Sequence, residues 1–154
     1  MNNFINLRAI TSENYREIIA LKVSSDQEDL VASNLFTIAQ MQFKQEKIAL
    51  AIYSGDVPVG LIAYDLDDYD IWRLMIDHRF QRQGFGKQAM KKVIEILRQH
   101  NKLPEIRTSV IVSQKGPLAF YKKLGFRENG EVIEYDKDGK PHEIVLTYPI
   151  RNNK

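Results

Sequence analysis

Apolar and polar positions alternate along Phe4-Ile5-Asn6-Leu7-Arg8-Ala9-Ile10, the period of a half-buried first strand. Thr11 or Ser12 can cap a short helix that presents Tyr15, Ile18 and Ile19 on one face. Ser25-Asp26-Gln27-Glu28 then has the form of a capping box, with Val31, Leu35 and Ile38 following at helical spacing, so a second helix is predicted to open at Ser25. Two nearly unbroken apolar runs, residues 48–53 and 59–64, flank the turn Ser54-Gly55-Asp56 and read as a hairpin of buried strands. Asp65-Leu66-Asp67-Asp68-Tyr69-Asp70 is an acidic turn before a strand over residues 71–77.

The second half is punctuated by glycine and proline. Gln81-Arg82-Gln83-Gly84-Phe85-Gly86-Lys87 lies between the apolar Leu74-Met75-Ile76 and a helical pattern at Met90, Val93, Ile94 and Leu97. A helix is predicted over residues 86–100, ending near Asn101 and Pro104, and residues 106–112 alternate as a strand. Residues 117–124 read as a helix with Pro117 in its first turn and Gly125 at its end. Residues 131–135 and 143–148 flank Asp136-Lys137-Asp138-Gly139-Lys140-Pro141 as a terminal hairpin. Interleaved strands and helices give an α/β or α+β class with a mixed sheet.

Composition narrows this only modestly. The 154 residues suit one domain, 1–154, with a core over about 4–148. Zero cysteines exclude disulfides, thiolate metal sites and a Cys nucleophile, and fit a cytoplasmic protein. Residues 1–6 lack the basic and apolar regions of a signal peptide, and no run is long enough to span a membrane, so no membrane partner is expected. A net charge of +2, with both signs interspersed, gives no argument for nucleic acid. His78, His100 and His142 show no metal spacing; no metal is expected.

The chemistry concentrates in the glycine loop. Gly84 and Gly86 let the backbone approach a ligand, and the unpaired N–H groups of the following helix attract anions, phosphates above all. The loop is neither a P-loop nor a dinucleotide fingerprint, lacking the Lys-Ser/Thr of one and the third glycine of the other. The acidic groups Asp26, Glu28 and Asp29, and Asp67, Asp68 and Asp70, read either as dipole complements and a solvated turn or as lips for a cationic substrate. Trp72 and Arg73 are neighbours on a strand, so one is expected in the core and the other lining the cleft or anchoring a neighbouring carboxylate.

Downstream, Phe120-Tyr121-Lys122-Lys123-Leu124-Gly125-Phe126 supplies a second block. Together, the loop, with its Q/R-x-x-G-x-G/A form, and the Tyr-x-x-x-Gly-Phe block resemble the GCN5-related N-acetyltransferase (GNAT) family. The order of elements over residues 4–148 agrees with that family's mixed, mostly antiparallel sheet of about seven strands flanked by about four helices. Leu21-Lys22-Val23, Gln27, Val31-Ala32-Ser33-Asn34 and residues 71–77 look most like its bacterial diamine and polyamine (spermine/spermidine) acetyltransferases.

That resemblance implies acetyl-CoA as co-substrate and transfer of its acetyl group to a primary amine. The pyrophosphate would lie on the backbone of Arg82, Gln83, Gly84, Phe85, Gly86 and Lys87, and the pantetheine along Leu74, Met75 and Ile76. Tyr121 would be the general acid that protonates the departing thiolate, with no covalent enzyme intermediate. Gln114 stands where the family most often has a cofactor-contacting Asn, and Pro117 where a small residue is common; both are assigned to the cofactor. Asp26, Glu28, Asp29 and Asp70 are the candidate substrate carboxylates, with Asp70 also the candidate general base. The acceptor would be a diamine or polyamine; alternatives are a peptide or protein amine, an aminoglycoside, or no acceptor at all in an acyl-CoA-binding sensor. Exposed apolar strands in the terminal hairpin would allow a homodimer.

Overall fold

The computed structural model describes residues 4–150. The outer limits of the expected domain and half of the stretch read for a signal peptide lie outside them. Seven strands form one sheet in the order β1-β2-β3-β4-β5-β7-β6. They are β1 (Ile5–Ala9), β2 (Lys47–Ser54), β3 (Val57–Asp65), β4 (Asp70–Ile76), β5 (Glu105–Ile111), β6 (Arg127–Tyr135) and β7 (Pro141–Pro149). Every pairing is antiparallel except that of β4 with β5. Four α-helices cover the sheet: α1 (Tyr15–Ala20), α2 (Asn34–Gln40), α3 (Phe85–His100) and α4 (Leu118–Leu124). A mixed α/β fold with a mostly antiparallel sheet is what the alternation of the sequence requires.

Two apolar layers hold the sheet. On one face, Ile52, Ile62, Tyr64 and Ile71 pack against Phe85, Met90, Val93 and Leu97 of α3 and against Tyr121 and Phe126. On the other, Ala51, Leu61, Ala63 and Met75 pack against Ile18 and Leu21, with Ile38 and Trp72 joining. No helix among the described residues is long and apolar enough to cross a membrane.

The second helix departs from expectation. Ser25–Leu30 is a turn of 3-10 helix, the chain then extends, and α2 begins at Asn34. Ser33, not Ser25, is the cap: its Oγ accepts from the amide of Phe36 at 3.1 Å. The register is set by tertiary demand, because Asn34 and Thr37 turn inward while Leu35 and Phe36 are exposed. Asn34 Nδ2 donates to the Ile18 carbonyl at 2.8 Å, tying α2 to α1. The terminal hairpin is as expected, although β6 starts earlier, at Arg127.

Candidate active site

The site begins where two strands part. β4 and β5 are paired only through Asp70 with Arg107 and Ile71 with Thr108. Beyond those pairs β4 follows β3 as far as Ile76, and β5 follows β7 as far as Ile111, so their facing edges carry unpaired backbone groups. A cleft of about 940 Å³ fills the opening. Leu74, Met75 and Ile76 line one wall, Thr108, Ser109, Val110 and Ile111 the other.

The glycine loop closes one end, and a buried carboxylate positions it. Asp77, 1% exposed, accepts from the amides of Lys22 (3.0 Å) and Arg79 (3.0 Å) and from Arg79 Nε (2.8 Å). Burial alone would raise its pKa, but these bonds outweigh it and hold the carboxyl at about 2. Gln81 then spans from the Ile76 carbonyl (2.9 Å) to Gln27 Oε1 (2.8 Å), joining the loop to the 3-10 turn. Arg82 and Gly84 both take left-handed φ, 62° and 84°, the kind of backbone turn from which anion-binding concavities are built. No acidic residue occupies the first turn of α3, so its positive end faces the cleft uncompensated, flanked by Arg82 and Lys87. Phe85 is buried at 3% and fixes the helix in the core; only its backbone can serve a ligand.

Tyr121 stands at the other end, near the last β4–β5 pair. It is 5% exposed and packs edge-on to Phe120 (5.1 Å) and Phe126 (5.2 Å). Burial pushes its phenol up to about 12, against the pull of a hydrogen bond with the Thr108 side chain. Thr108 Oγ in turn donates to the Ile71 carbonyl at 3.0 Å. The phenol is therefore held protonated at the apex of the fork.

Trp72 packs against the apolar layer under α1 and α2, as expected of one of the pair, and both it and Arg73 line the cleft. The β3–β4 register slips between Ala63 and Tyr64, leaving Trp72 as the extra residue of a bulge. Alternation therefore fails there, and both side chains lie on the α1–α2 face. The Arg73 guanidinium sits 4.3 Å over the Trp72 ring and donates to the Trp72 carbonyl (2.9 Å) and to Gln40 Oε1 (3.2 Å). Burial lowers its pKa, while the negative charges of Asp70 and Glu143 oppose the drop.

Of the residues singled out in the sequence, the cleft gathers Leu74, Met75, Ile76, Arg82, Gly84, Phe85, Gly86, Lys87, Pro117, Tyr121, Glu28 and Asp29. Gln83, Gln114, Asp26 and Asp70 are not among its lining residues. Asp26 is paired with Lys115 across the mouth at 2.8 Å. Asp70 lies at the closed end, its carboxyl raised by burial despite Lys47. In the acidic turn, Asp65 is buried against Lys47 (3.3 Å) and Asp67 meets Lys102 (2.7 Å). Sequence reasoning missed Thr108, Ser109 and Glu143, which line the cleft. Ser109 Oγ donates to Glu143 Oε1 at 2.6 Å. Their positions depend on where β5 and β7 meet the fork, and no local motif encodes that.

Comparison with known proteins agrees with this geometry. The model of the Acetyltransferase (GNAT) family matches residues 7–126. Spermine/spermidine N(1)-acetyltransferase of Bacillus subtilis (strain 168) is 30% identical over 139 residues, covering 83% of this chain and 91% of that protein. Among solved structures, the ribosomal-protein-S18-alanine N-acetyltransferase from Escherichia coli superposes with a TM-score of 0.71 at 16% identity, covering 98% of this chain and 97% of the other. Spermidine N-acetyltransferase from Vibrio cholerae, solved with CoA and spermine, gives a TM-score of 0.67 at 15% identity, covering 94% of this chain and 95% of the other. At such identities the structural likeness is one of fold.

Proposed function

The chain belongs to the GNAT family of acetyl-CoA-dependent N-acetyltransferases, and from that premise we propose that it acetylates a primary amine of a diamine or polyamine, with Tyr121 as general acid. The observation that carries the reading is the fork itself: an open β4 edge leads from an anion-binding loop to a buried, protonated phenol.

The residues fit acetyl-CoA. Amides at Arg82 through Gly86, with the charges of Arg82 and Lys87, suit a pyrophosphate, and the β4 edge at Leu74–Ile76, where Gln81 already holds the Ile76 carbonyl, suits an extended amide chain lying as an added strand. When bound, acetyl-CoA supplies an activated acyl carbon and a thiol leaving group. Tyr121 contributes a proton at its phenol oxygen, and the apolar walls around it exclude water. Gln114 and Gln83 belong to the same proposal as rim contacts. A diamine or polyamine is supported by two features: the 30% identity with a spermine/spermidine acetyltransferase, and Glu28 and Asp29 in the cleft, which favour a multiply charged cation. The exposed Ile133 and Tyr135 on β6 support a homodimer through that edge.

The test is thiol release from acetyl-CoA with putrescine, spermidine, spermine, lysine peptides, an alanine-ended peptide and aminoglycosides, beside a no-acceptor control. Saturable turnover on the polyamines with at least tenfold preference in kcat/KM is expected. Preference for a peptide or aminoglycoside contradicts the substrate class, and binding of acetyl-CoA with no turnover contradicts catalysis.

A further inference from the structure

Amine acetylation must dispose of nitrogen protons, and Tyr121 accounts only for the sulfur side. We propose that Glu143, on β7, is the proton-accepting carboxylate of the acceptor half of the cleft; this rests on the N-acetyltransferase reading above.

The argument is one of faces. Thr108 is buried on the face of β5 that carries Tyr121. Ser109, the next residue, points to the opposite face. Glu143 accepts from Ser109, so its carboxylate lies on that opposite face and lines the cleft. Arg73 and Trp72 are turned to the same face by the β4 bulge. The acid and Glu143 thus flank the fork from its two sides, so that one can take a proton from the attacking nitrogen while the other gives one to the departing sulfur.

The other carboxylates fit the task less well. Asp26 is committed to Lys115, and Asp70 is not a lining residue. Glu28 and Asp29 belong to the mouth formed by the 3-10 turn rather than to the fork. No Lys or Arg lies within ion-pair distance of Glu143 among the described residues. Arg73 from β4 feels the charges of both Glu143 and Asp70, Glu134 lies opposite Glu143 on β6, and His142 precedes it on β7. Arg73 disfavours further positive charge on this face, which makes an ammonium there a better proton donor.

The step balances as follows. The acceptor ammonium gives one proton to Glu143, and the freed nitrogen lone pair forms the N–C bond as the C–S bond breaks. The phenol proton of Tyr121 goes to the departing sulfur. The remaining excess proton on nitrogen returns to the Tyr121 phenolate through solvent, and Glu143 releases its proton to bulk water.

The test compares wild type, Glu143→Gln, Glu143→Asp and, as a charge control, Glu134→Gln, on whichever panel amine the wild type uses fastest. Glu143→Gln is expected to lose about 100-fold in kcat/KM for the amine, with the loss in kcat rather than in KM. Its affinity for acetyl-CoA and its melting temperature stay at wild-type values, Glu143→Asp recovers about tenfold of the loss, and Glu134→Gln matches wild type. Activity of Glu143→Gln within threefold of wild type, or a loss confined to KM, overturns the role of Glu143 alone. A wild type silent on every amine while binding acetyl-CoA overturns the acetyltransferase reading, and this proposal with it.

Discussion

At the scale of single residues, two buried ionisable groups frame the site in opposite protonation states. Tyr121 is kept neutral because burial dominates its surroundings, whereas Asp77 is kept charged because its hydrogen bonds exceed the cost of burial. A carboxyl lowered from 3.8 to about 2 contributes roughly 2 kcal/mol of stability at neutral pH. That contribution is complete above the unfolded pKa near 4 and is lost as pH falls through about 2. Asp77→Asn should therefore be less stable than wild type by about 2 kcal/mol or more at pH 7, since the amide nitrogen that replaces one oxygen cannot accept from Lys22 or Arg79. The gap should narrow toward pH 2, as read by urea unfolding across pH. A gap independent of pH would show that the carboxylate's charge is irrelevant to the fold.

At the scale of elements, the glycine loop depends on backbone shape as much as charge. Gly84 takes φ 84° with open space around the position of a Cβ, so an added methyl group meets no neighbour and the whole penalty is conformational. Gly84→Ala is expected to cost about 1–2 kcal/mol and to weaken acetyl-CoA binding about tenfold as the amides turn away. Calorimetric titration with a parallel thermal melt reads both, and unchanged affinity would remove the loop from the binding account.

The elements also differ in how legible they were. Strands β2 and β3, helix α3 and the β6–β7 hairpin each carry a strong local period and local stop signals, so the sequence located them. The second helix was misplaced because Ser24, Ser25 and Ser33 are all competent caps, and the choice among them is made by Asn34 and Thr37 packing on α1 and the sheet. The β4 bulge was invisible for a related reason. It is a property of how Trp72 fails to pair with β3, and nothing within Ile71-Trp72-Arg73 announces it. Motif residues of the loop and of α4 converged on the cleft, while Thr108, Ser109 and Glu143 entered it only through sheet register.

At the scale of the molecule, the fold is a device for holding two strands apart. β4 is bound to β3 on one side and β5 to β7 on the other, and the crossover through α3 places a helix N-terminus at the open end. Tyr121 arrives at the closed end because α4, capped by the left-handed Gly125 (φ 109°), returns the chain to β6. The proposed chemistry follows from that layout, with anion binding at one end and proton delivery at the other. The most direct test measures thiol release and acetyl-CoA affinity together for wild type and Tyr121→Phe. The account predicts a fall in kcat of about 100-fold with affinity within twofold, and a wild-type rate that does not decline between about pH 8 and pH 10, since the phenol titrates only near 12. Equal turnover by the two proteins would contradict Tyr121 as the acid and, with it, the reading of the fork as a site of acyl transfer.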